Sequence, residues 1–173
     1  MPNDFYRQLG TSVAGLTFGV ALSIFILVVA TGIVAGIAAW LLFVTSFLLM
    51  LRFWWRYNEL FVQYLPSNTF WHFVFDFAAS FFGILAVIFV GDIRIWSLVG
   101  ALAMMSSAIR CGLSWNSASR DVKSKLRKTL YGAIGMLVIM GIVYAAAGTV
   151  SHELLASAIF VIILVFVVYS SRK

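Results

Sequence analysis

Asp76 stands in Trp71-His72-Phe73-Val74-Phe75-Asp76-Phe77 and is the one acidic residue within the apolar stretches of this chain. A carboxylate in hydrocarbon costs several kcal/mol unless it is paired, protonated or wetted. Three basic side chains fall at a comparable depth. His72 precedes Asp76 by four residues, on the same helix face. Arg52 closes the first apolar run, and Arg110 lies about five residues inside the end of another. An Asp76–Arg52 or Asp76–Arg110 pair would relieve the cost of burial. Three roles are open to such a cluster: proton exchange on the carboxylate, attraction of cations near a pore mouth, or a structural pair joining three helices.

Other chemistry has little material. The chain has no HExxH, GxSxG or Walker pattern. Cys111 is the single cysteine, and the two histidines, His72 and His152, are far apart. That composition provides no disulfide framework and no Cys–His metal set. The expectation is a non-enzyme without cofactor or metal. Gly15, Gly19 and Ser23 recur at i, i+4, i+8, with Ser12 and Thr17 nearby. Small residues at this spacing let a second backbone approach closely. They form either a pore-lining or symmetric contact face, or an ordinary packing face within one subunit.

The elements that position these residues are membrane helices. The chain is 63% hydrophobic and 10% charged, against roughly 25% charged in soluble domains. Thr11 to Leu51 carries no charge over 41 residues. A straight helix of that length would reach about 60 Å, twice the hydrocarbon core of about 30 Å. The run must therefore fold back, and Ala30-Thr31-Gly32 is the natural turn. A cleaved signal peptide fits less well, because the apolar region is too long and no clear basic segment precedes it. Four further runs complete six spans, at about 12–30, 33–55, 69–90, 95–115, 130–148 and 151–169. They form one domain of residues 1–173, all-α, built as three hairpins.

Charge placement orients them. With the N-terminus inside, Arg7, Arg52, Arg56, Arg110, Arg120, Lys123, Lys125, Arg127, Lys128, Arg172 and Lys173 are cytoplasmic. Only Arg94 of the twelve Lys and Arg lies outside. This satisfies the positive-inside rule and puts both termini in the cytoplasm. Trp54, Trp55, Trp71 and Trp115 then mark the inner interface and Trp96 the outer one. The basic loop Arg120–Lys128 is read as a topology signal and an anionic-lipid contact, not a nucleic-acid site. The expected location is the plasma or inner membrane of a prokaryote.

Ser46-Phe47 followed by Phe53-Trp54-Trp55-Arg56-Tyr57-Asn58-Glu59-Leu60-Phe61 resembles the second helix of a potassium channel family. That endolysosomal and prokaryotic family carries a Phe-Ser-Asp-Gly signature on its first helix. Residues 19–27 are similar to the stretch after the signature. Leu16-Thr17-Phe18-Gly19 stands in the signature's place with only its Gly kept, and Tyr57 stands where the family has His. The resemblance implies six spans, inner termini, and small subunits around a pore lined by the first helix. Ile24 and Leu27 would form its hydrophobic constriction. The three-hairpin layout is also similar to that of small acid-resistance membrane proteins. The reading is an oligomeric, channel-like protein conducting cations. The alternatives are a non-conducting accessory or stress-related protein and a small proton-coupled transporter.

Overall fold

The chain reverses where its backbone must leave the right-handed region. Gly32 (φ 71°) and Gly36 (φ 82°) take left-handed conformations, which cost a residue without Cβ little. Thr31 Oγ1 donates back to the Leu27 carbonyl at 2.8 Å, so the turn falls where the sequence places it. The computed structural model describes residues 2–62, 64–65 and 69–171. Its helices are α1 (Pro2–Ala30), α2 (Gly36–Arg56), α3 (Phe70–Ile88), α4 (Ile93–Leu113), α5 (Arg120–Ala146) and α6 (His152–Ser171). A π-helical segment, Tyr57–Val62, continues α2. No strand occurs among the described residues.

Two caps fix helix starts near the site. Thr69 Oγ1 accepts from the His72 amide at 3.3 Å and starts α3. Asp92 Oδ1 accepts from the amides of Arg94 and Ile95 at 2.9 and 3.1 Å and starts α4. Each satisfies donors that a helix leaves unpaired in its first turn.

Five helical stretches are long and apolar enough to cross a membrane: Gly36–Phe61, Phe70–Ile88, Ile93–Leu113, Arg120–Ala146 and His152–Tyr169. Phe18–Ala30 is a shorter apolar helix, the end of an α1 that runs for 29 residues. Large apolar side chains such as Ile26, Ile37, Val138, Ile142 and Val165 remain exposed around the bundle. In water such a surface would associate; against lipid tails it is at home. The chain thus fits a multi-pass, all-α membrane protein.

Packing departs from three serial hairpins. α4 lies closely between α3 and α5, α6 docks on α2, and α1 rests mainly on α3. α1 and α2, though joined by a tight turn, share little contact. The expected linker 116–129 is also corrected, because α5 is helical from Arg120. Val122 and Leu126 are buried there one turn apart, and this amphipathic pair sustains a helix too charged to register as an apolar run. Two cores result. Phe25, Leu42, Val87, Trp96, Met140 and Ile159 lead the one toward the tight turns. Tyr57, Leu60, Phe61, Cys111, Val122 and Leu126 lead the other, at the basic end.

Candidate functional site

The π-helical segment delivers the first partner of Asp76. Tyr57, its first residue, donates its hydroxyl to Asp76 Oδ2 at 3.2 Å. Short π stretches mark functional positions in many helices, because they re-aim one side chain. From α4, Arg110 Nε donates to Asp76 Oδ1 at 3.0 Å. Arg110 Nη2 donates to the Leu65 carbonyl at 3.0 Å, and Nη1 donates to Ser114 Oγ. Its guanidinium carbon also lies 4.4 Å from the centre of the Phe61 ring. Arg110 is 1% exposed and Asp76 7%. A charge so buried is tolerable only with a paired opposite charge and its donors engaged, and both conditions hold here.

The sequence-predicted cluster is therefore largely assembled. Asp76, Arg110 and His72 meet at one end of α3 and α4, and all three are buried. His72 hydrogen-bonds to the Leu113 backbone at the end of α4. Arg52 has Arg56 and Glu59 among its electrostatic neighbours, and the salt bridge to Asp76 comes from Arg110. Arg52 lies about 140° round the helix from Tyr57, at 100° per residue, and Tyr57 is the side chain aimed at Asp76. Sequence reading missed Tyr57, Ser114 and the Leu65 carbonyl as partners. Only Ser114 left a signal, its i+4 spacing from Arg110.

Asp76 also borders two cavities. The larger, about 80 Å³, runs between α1, α2, α3 and α4 and is lined by Asp76, Tyr57, Ser46 and Trp96, among others. The smaller, about 30 Å³, is lined by Asp76, Arg110, Arg56 and Cys111, among others. At the far end of the larger one, Trp96 Nε1 donates to Ser46 Oγ at 2.8 Å. Ser46 in turn donates to the Leu42 carbonyl.

The small-residue face of α1 points away from the body of the subunit. Ala21, Phe25 and Val28 are buried and anchor the helix. Gly15, Gly19 and Ser23 are exposed. A Cβ built on Gly15 or Gly19 meets nothing within 4 Å. Ser23 Oγ bonds within its own helix, to the Gly19 carbonyl at 3.1 Å. Among the described residues, therefore, nothing packs closely on these two glycines. Leu27 is 57% exposed and Ile24 half-buried. Ser12 is exposed, while the side chains of Arg7 and Thr17 lie outside the described residues.

At the basic end Glu59 links elements. It bridges Arg56 at 2.7 Å and Lys125 of α5 at 3.2 Å. Arg120, Arg127 and Lys128 stay exposed on the same helix. Comparison with family models, curated proteins and solved structures returns no match.

Proposed function

We propose that the chain is a small, channel-like membrane protein that assembles as a homo-oligomer and conducts cations, potassium among them, along the subunit axis. The observation that carries this reading is the outward Gly15–Gly19–Ser23 face of α1, on a helix that touches α2 little. A close-approach face left open by its own subunit is suited to a second copy. A closed ring would repeat the same contact around an axis, with Ile24 and Leu27 nearby as the constriction. Both termini and the basic part of α5 would face the cytoplasm, with Arg120, Arg127 and Lys128 against anionic headgroups. In this reading Asp76 and Arg110 form an ion-paired clamp that ties α3, α4 and the π-helical segment together beside the pore-forming helix.

The test is cross-linking in membranes. Gly19→Cys in a Cys111→Ala background should give oxidised adducts between subunits, and Ile142→Cys on the lipid side of α5 should give none. Monomers alone at Gly19→Cys would reject an α1 axis. One observation favours a second reading, a proton-coupled transporter: the Asp76 carboxylate borders both cavities within a subunit. Asp76→Asn separates the readings. A transporter loses coupling with its fold retained, a channel keeps selective flux where it folds, and a non-conducting accessory protein shows no flux before or after.

A further inference from the structure

The larger cavity has a one-sided electrostatic character. Asp76 is the only formally charged residue among those described that line it. Arg110, its ion-pair partner, lines the smaller cavity behind it instead. Asp76 thus borders both spaces, whereas Arg110 borders only the smaller of the two. Phe18, Phe53, Trp54, Tyr57 and Phe73 supply aromatic rings to the same cavity. Phe18 of α1 stacks on Trp54 of α2 with ring centres 4.8 Å apart, and both are partly exposed. This pair forms the wall toward lipid, where α1 and α2 meet little otherwise. From Ser107 to Trp96 on α4 the slot extends about 16 Å along the helix. It is a narrow apolar channel with a carboxylate and aromatic faces at one end.

We propose that this slot binds a lipophilic quaternary ammonium, with the cationic head between Asp76 and the aromatic rings and the alkyl chain toward Trp96. Aromatic faces attract a cation through their quadrupole, and more so when it is desolvated. Both Asp76 oxygens already accept hydrogen bonds, from Arg110 and Tyr57. A quaternary head needs no acceptor, only negative field and π surface, whereas a primary amine must compete for those oxygens. The site lies within one subunit and is independent of any pore at an oligomer axis.

Gly83 provides the control. It lines the cavity, and a Cβ there meets nothing within 4 Å. Gly83→Leu therefore fills the slot, and leucine is also the better helix former. The experiment titrates ω-bromoundecyltrimethylammonium into the full chain in phosphatidylethanolamine–phosphatidylglycerol vesicles. The readout is bromine quenching of buried Trp96, assigned by its loss in Trp96→Phe. The expected result is saturable quenching that Gly83→Leu abolishes. ω-Bromoundecanol should bind at least about tenfold more weakly, and the bromoundecyl sulfonate more weakly still. Asp76→Asn, where it folds, should weaken the ammonium at least about tenfold. Should that variant not fold, the probe series and Gly83→Leu decide alone. Equal quenching in Gly83→Leu, equal affinity for all three probes, or a folded Asp76→Asn that binds like the parent would overturn the site.

Discussion

Arg110 directs its guanidinium to three different places: Asp76 on α3, Ser114 on its own helix and the Leu65 carbonyl beyond the π-helical segment. Removing the Asp76 charge leaves that guanidinium buried without its salt bridge. Asp76→Asn should therefore cost about 3–5 kcal/mol in reversible unfolding. The double variant Asp76→Leu/Arg110→Met should recover most of the loss, since an apolar pair of similar volume carries no desolvation cost. If the double variant is no better than the single, the pair is not the source. Tyr57→Phe removes one hydrogen bond and should cost about 1 kcal/mol in the same assay. At this scale much was legible. Depth and i+4 spacing bring His72, Asp76 and Arg110 together, whereas Tyr57 comes into play through a π-helical segment that apolar periodicity does not announce.

Glycines that look alike in sequence part ways once helices pack. A Cβ on Gly100 would lie 3.3 Å from Met140 Cε, at the close contact of α4 and α5. Gly100→Val should destabilise the fold by about 1–3 kcal/mol through overpacking, seen as a lower thermal midpoint in detergent. Gly19→Val, facing open space, should leave that midpoint unchanged and weaken only the proposed contacts between copies. Glu59 ties the π-helical segment to the basic N-terminal extension of α5 through partly exposed bridges. Glu59→Gln should cost no more than about 1 kcal/mol, with the difference shrinking in high salt. Amide exchange across 120–126 would report it. The helical identity of residues 120–129 escaped the apolar-run reading because the stretch is held by two buried side chains and otherwise covered in charge.

For the whole molecule, alternating hydropathy predicts the sequence of crossings but not which helices become neighbours. Hydrophobicity does not distinguish a lipid tail from an apolar helix, so α6 on α2 and α1 on α3 are settled by shape. The basic residues predict a sidedness that is checkable. In a Cys111→Ala background, cysteines at exposed Gly91 and Ser119 should react with impermeant reagents from opposite faces, Gly91→Cys from outside. The most direct measurement is ion flux in vesicles containing the purified protein. An imposed potassium gradient should dissipate through the wild type, chloride should be excluded, and Gly19→Leu should suppress the flux while the subunit remains folded. Folded, reconstituted protein that passes no more cation than protein-free vesicles at any gradient or pH would contradict the channel reading.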